Sequence, residues 1–162
     1  MAITAYYDLK LTVQEALTIV DASGDDAKIT HNLFNASGFL DADTTPPATK
    51  ATSFELTLTS GAATIDLTAL PSVYNATVDG TGLRVQLVKL KAPATNGNAV
   101  TIVPGASNGY NLFGATSKIT LQPGEQVEFL GIDLQPEIGN SAKTIDISGT
   151  GSQKLDVQLV MG

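Results

Sequence analysis

His31 is the single histidine of the chain and the first residue whose chemistry invites a catalytic reading. As a general base it needs a serine nucleophile and an orienting acid. No G-x-S-x-G elbow is present, and Gly38-Phe39-Leu40 after Ser37 does not form one. The plainer reading is a structural histidine beside a strand. Paired carboxylates could cleave glycosidic bonds if set at fixed separation across a cleft. The acids Glu55, Asp66, Glu128, Asp146 and Asp156 instead fall on outward strand positions, where they keep a lysine-poor surface soluble. Asp21, Asp25 and Asp26 supply oxygens of the kind Ca²⁺ takes. The EF-hand spacing is absent, because Gly24 comes early and Asn32 stands where a bidentate glutamate is needed. The glycine-rich stretches Asp79-Gly80-Thr81-Gly82 and Ser148–Ser152 precede no lysine-tipped helix start, which argues against a phosphate cradle. Asn35-Ala36-Ser37 and Asn75-Ala76-Thr77 match glycosylation sequons, which without a leader are chance matches. Tyr6, Tyr7, Tyr74, Tyr110 and Phe113 could stack on sugars, but they are scattered and read better as packing residues.

Composition removes further classes. The chain has 162 residues and no cysteine, so disulfides, zinc–thiolate sites, iron–sulfur clusters and cysteine nucleophiles are out. With one histidine, multi-histidine metal sites are out as well, and no cofactor is expected. The net charge is −7, which disfavours a nucleic-acid backbone or an anionic membrane as partner. No apolar run approaches the length of a bilayer span, and the N-terminus MAITAYYDLKLT shows no secretory leader. The length suggests one domain over 1–162, with 1–12 as an N-terminal arm strand.

The elements that position these residues are strands. Apolar and polar residues alternate with period two in Ser53–Thr59, Ala63–Leu67, Lys118–Leu121, Gln126–Leu130, Thr144–Ser148 and Lys154–Met161. The expected core is Phe54, Leu56, Leu58, Ile65, Leu67, Val85, Leu87, Ile119, Leu121, Val127, Phe129, Ile145, Ile147, Leu155, Val157 and Leu159. In Leu83–Lys91 (LRVQLVKLK) the apolar phase flips, and a bulge near Leu87–Val88 would restore it. Turn residues punctuate the strands: Ser60-Gly61, Asn96-Gly97, Pro104-Gly105, Asn108-Gly109, a type II turn at Pro123-Gly124, and SGTGS as a hairpin between the last two strands. Thr12 with Glu15 makes a capping-box signal, but the β-branched Thr18, Ile19 and Val20 favour continued strand. Ile29–Phe34 reads as a strand, and Asp41–Thr49, with Pro46-Pro47, as a loop. About nine to eleven short strands of this kind make an all-β antiparallel sandwich, jelly-roll or immunoglobulin-like.

Four segments carry a resemblance: VDGTGLRVQLVKLKA (78–92), NGYNLFG (108–114), ITLQPGEQVEF (119–129) and KTIDISGTGSQKLDVQLVMG (143–162). Together they resemble the small β-sandwich structural proteins of tailed-phage virions, in head-decoration, minor-capsid or tail roles. The resemblance covers the second half of the chain, and no family motif carries a catalytic or binding residue onto it. It implies a non-enzymatic virion protein whose partners are copies of itself and other virion proteins. Outward-phase Val160 and Leu130 would add apolar contact surface. Ala2, Ile3, Ala5, Tyr7 and Leu9 would form a self-association arm that adds to a neighbour's sheet. The alternative is a carbohydrate- or cell-surface-binding sandwich module.

Overall fold

A computed structural model describes residues 3–20, 26–31, 36–72, 76–131 and 135–162. The described residues hold strands and no helix. In chain order the strands are β1 (Thr4–Leu9), β2 (Val13–Val20), β3 (Asp26–His31), β4 (Ala36–Asp41), β5 (Lys50–Thr57), β6 (Ala62–Asp66), β7 (Leu70–Pro71), β8 (Thr77–Val78), β9 (Val85–Lys91), β10 (Val100–Pro104), β11 (Ile119–Leu121), β12 (Gln126–Leu130), β13 (Thr144–Ser148) and β14 (Lys154–Met161). They exceed the expected number because β4, β7, β8 and β10 lack a clear alternating signal in the sequence. The capping-box signal at Thr12–Glu15 loses to the β-branched run: β2 is a strand.

The chain divides into two compact units, Thr4–Leu40 and a larger one holding Asp41–Gly162. The larger unit is an antiparallel β-sandwich. One sheet has the order β12-β9-β14-β5 and the other β11-β10-β13-β6. Every neighbouring pair is antiparallel. Strands consecutive in sequence (β5 and β6, β9 and β10, β11 and β12, β13 and β14) occupy the same place in opposite sheets. This is the order of a jelly roll, two Greek keys closed on one core. It also corrects one turn. SGTGS (148–152) does not close a hairpin, because β13 and β14 belong to different sheets. It arches over the end of the core.

The core is the shared apolar face of the two sheets. Leu58, Ile65, Leu67, Val85, Val88, Leu90, Ile102, Leu121, Ile145, Ile147, Leu155, Val157, Leu159 and Met161 are buried in one cluster. Phe54, Leu56, Ile119, Val127 and Phe129 pack against it half-buried. Each fully buried aliphatic side chain contributes about 1.5–3 kcal/mol.

Leu87 departs from the expected core: it is half-buried on the outer phase. The cause is the position of the bulge. Against β14, Val160 pairs with Leu87 and Met161 with Val85, so Gln86 is the extra residue, just before the expected place. Val85, Val88 and Leu90 then all face inward. Gln86 is itself buried, and its Nε2 donates to the Pro46 carbonyl at 3.1 Å, holding the 41–49 loop to the strand. Val160, expected on an exposed phase, is buried at 6% exposure.

The arches interlock. Thr59 and Ala62 exchange both backbone hydrogen bonds, at 3.0 and 3.2 Å, around Ser60 (φ 52°) and Gly61 (φ 83°). Two positive φ values make this the type I′ turn of a tight β-connection. Gly61 N–H donates to the Gly151 carbonyl at 2.8 Å, and Gly149 N–H donates to the Gly61 carbonyl at 2.8 Å. At Pro123-Gly124, Glu125 N–H donates to the Gln122 carbonyl at 2.9 Å, and Gly124 has φ 90°, as a type II turn requires.

Tyr110 pins another part of the core. Its ring is fully buried, and its hydroxyl accepts from Val85 N–H at 3.1 Å and donates to the Pro136 carbonyl at 2.8 Å. Burial pushes the phenol above its ordinary pKa, with the Val85 hydrogen bond opposing.

A Cβ at Gly61 would meet the Gly149 carbonyl oxygen at 2.6 Å, whereas at Gly151 it would meet nothing within 4 Å. Gly61→Ala is therefore expected to cost at least about 2 kcal/mol, and Gly151→Ala about 1 kcal/mol from its positive φ alone. Urea unfolding of both variants checks the difference. Tyr110→Phe should cost about 1–3 kcal/mol by leaving the buried Val85 N–H and the partly buried Pro136 carbonyl unpaired. The folded phenol keeps its proton to higher pH than the unfolded one. Its contribution is therefore whole below about pH 10 and is lost as pH rises through the folded value. Thermal unfolding across that range should show a shallower alkaline decline in Tyr110→Phe than in the parent.

Candidate functional site

The outer face of the β12-β9-β14-β5 sheet carries polar side chains in ordered rows. Register places Glu55, Asp156, Lys91 and Gln126 side by side across the strands, and Ser53, Gln158, Lys89 and Glu128 in the next row. The bulge at Gln86 sets this phase, since it sends Lys89 and Lys91 outward as Val88 and Leu90 go in. A groove of about 430 Å³ runs along the two rows.

Glu55, Asp156 and Lys154 lie on β5 and β14; Lys89, Lys91 and Glu128 lie on β9 and β12. At the margins the charges are paired within the chain: Lys154 Nζ to Glu55 Oε1 at 2.7 Å and Lys89 Nζ to Glu128 Oε1 at 2.6 Å. Exposed pairs of this kind contribute about 0–1 kcal/mol each. At the centre, Lys91 and Asp156 stand opposite each other on β9 and β14, yet among the described residues neither has an ion-pair partner within 4 Å. On the other sheet, Asp66 pairs with Lys143 at 3.2 Å, and its Oδ1 accepts from the Thr68 hydroxyl at 2.6 Å. Burial works to raise the Asp66 pKa, but the Thr68 and Lys143 contacts prevail and hold it below its ordinary value.

The N-terminal unit has a different surface. Its strands form two two-stranded sheets, β1-β4 and β2-β3. Of the arm residues named from sequence, Ile3 is half-buried, and Ala5, Tyr7 and Leu9 occupy the half-buried phase of β1. Ala2 lies outside the described residues. The Tyr7 ring lies over Gly38 of β4, so close that a Cβ there would meet its hydroxyl at 2.7 Å. Successive side chains of a strand point to opposite faces. Tyr6 and Phe39 therefore share the other face of this ribbon, and they are 83% and 53% exposed. Leu11 and Val13 are exposed as well. Among the described residues, every large hydrophobic side chain left exposed belongs to this unit. Period-two alternation marks Tyr6 as outward, but nothing local in the sequence pairs it with Phe39.

The other sequence candidates scatter. His31 ends β3 opposite Val13 in the ladder. Asp26 begins the same strand, while Asp21, Asp25, Asn35, Tyr74 and Asn75 lie outside the described residues. Asp79 Oδ1 accepts from the Thr81 N–H and hydroxyl at 2.8 and 2.6 Å, so the Asp79–Gly82 stretch closes on itself as a turn. Asp146 accepts from the Thr64 hydroxyl and the Ala106 N–H, both at 2.8 Å. Phe113 packs edge-on against Phe129 with centroids 5.4 Å apart, and Tyr110 is in the core. The aromatics read as packing residues in the second half of the chain thus do pack.

No family model matches the chain. No curated protein matches it either. A chain from a solved structure of Bacillus endospore appendages, which form a novel family of disulfide-linked pili, superposes with a TM-score of 0.42 at 18% identity. The match covers 69% of this chain and 81% of that one.

Proposed function

We propose that this chain is a non-enzymatic structural protein that works by self-association, in the head-decoration, minor-capsid or tail role that its sequence resemblance to tailed-phage virion proteins implies. One observation carries the reading. Among the described residues the exposed large hydrophobics gather on a small unit of two-stranded ribbons, with Tyr6 and Phe39 on one face. Two-stranded ribbons are marginal in water unless further strands or a packed face support them. Open ladder edges and exposed apolar side chains are what strand addition to another copy uses. Of the arm residues named from sequence, Ala5, Tyr7 and Leu9 take the opposite, half-buried face of β1, so the surface proposed here is the Tyr6 and Phe39 face.

The alternative, a carbohydrate- or cell-surface-binding module, would use the polar groove on the sandwich. Phe54 is the aromatic residue lining that groove, and it packs half-buried against the core rather than standing in the two outward rows. Its distinguishing result is glycan-array binding by a monomer.

Light scattering of the untagged protein over a range of concentrations tests the proposal. The expected result is an assembly larger than a monomer. Tyr6→Ser with Phe39→Ser should lower its mass while the circular dichroism spectrum stays unchanged, and deletion of residues 1–9 should do the same. A strict monomer at every concentration contradicts the proposal.

A further inference from the structure

We infer that the outer face of the β12-β9-β14-β5 sheet is a second self-association surface, a two-fold contact in which Lys91 of each copy meets the partner's Asp156. This inference rests on the self-association reading and adds a contact distinct from the N-terminal ribbons. A shell or tube needs more than one contact per subunit, because a single two-fold interface closes at a dimer.

The argument is one of charge complementarity. The chain has nine lysines and arginines against sixteen acids, yet two of those cations stand in adjacent rows of one central strand. On the β5–β14 half Lys154 offsets Glu55, and on the β9–β12 half Glu128 offsets Lys89, so the charges left unbalanced are Asp156 on one half and Lys91 on the other. A two-fold axis lying in the face, parallel to the strands and between β14 and β9, lays each half on its opposite. It keeps every residue in its own row. Asp156 and Lys91 flank that axis as register partners, so each faces the partner copy's opposite charge. In the next row Gln158 and Lys89 also flank the axis, which sets each amide oxygen against a lysine. Sheets packed face to face stand about 10 Å apart, a span that a lysine and an aspartate cross together. Among the described residues these two central charges have no ion pair, whereas Glu55 and Lys89 have theirs. Four strands at about 4.8 Å spacing give a narrow face, so the contact is weak and salt-sensitive.

Sedimentation velocity of the full chain and two charge reversals tests this. Lys91→Glu alone sets a glutamate against Asp156 twice, and Asp156→Lys alone sets lysines together. Each should weaken association about tenfold or more. An equimolar mixture of the two variants should associate again, since one copy then presents only acids at these positions and the other only lysines. Restoration in the mixture separates a contact between copies from a folding effect within one. Raising NaCl from about 0.1 M to about 1 M, which shortens the Debye length from about 10 to about 3 Å, should weaken the wild-type contact. If both reversals associate as the wild type does, or if the mixture associates no better than its components, this contact is wrong while self-association stands. In that case the groove is left to another occupant, such as a soluble glycan. If the wild type is monomeric at every concentration, the contact and the self-association reading fall together.

Discussion

The bulge at Gln86 is the constraint on which the sandwich depends. β9 is hydrogen-bonded on both edges, to β12 and to β14, so its side-chain phase must agree with two neighbours at once. A one-residue slip in a strand sends its whole apolar set to the wrong face. The run from Val85 to Lys91 contains such a slip, and the extra residue at Gln86 absorbs it. Val85 stays inward opposite Met161, and Val88 and Leu90 stay inward opposite Leu159 and Val157. The same bulge determines the outer face. It turns Lys89 and Lys91 to solvent beside Gln158 and Asp156, so core packing and surface charge are two results of one irregularity.

Much of this fold is legible in the sequence. Period two over β5, β6, β12, β13 and β14 names the strands and nearly all of their inward residues, because alternation is a local consequence of the pleat. The bulge is legible only as a phase flip. The pattern shows that one residue between Val85 and Val88 is extra, but it does not say which. The polar Gln86 takes that place inside and the apolar Leu87 goes out; the Gln86 Nε2 binds the Pro46 carbonyl, while among the described residues its buried Oε1 has no partner. Strand order is not local, so SGTGS looks like a hairpin although it arches between sheets. The candidate site was half legible. Alternation marks Asp156 and Tyr6 as outward, but their neighbours Lys91 and Phe39 come from strands remote in sequence.

The two units divide the energetics. The sandwich buries a continuous apolar cluster and ties its arches together through Gly61, Gly149 and Gly151. Among the described residues the N-terminal unit leaves Tyr6, Leu11, Val13 and Phe39 in water. A net charge of −7 makes copies repel at long range, so association needs local attraction to overcome it. In the proposed reading, the exposed aromatics on the ribbons and the unpaired Lys91 and Asp156 on the sheet would supply that attraction.

Amide hydrogen exchange at low and at high protein concentration tests the central claim most directly. Amides of the interior strands β9 and β14 should exchange slowest at every concentration, because they open only with the whole sandwich. Amides of β1 and β4 should exchange fast in dilute solution and gain protection as concentration rises. Protection of β1 and β4 that is the same at all concentrations would contradict the account.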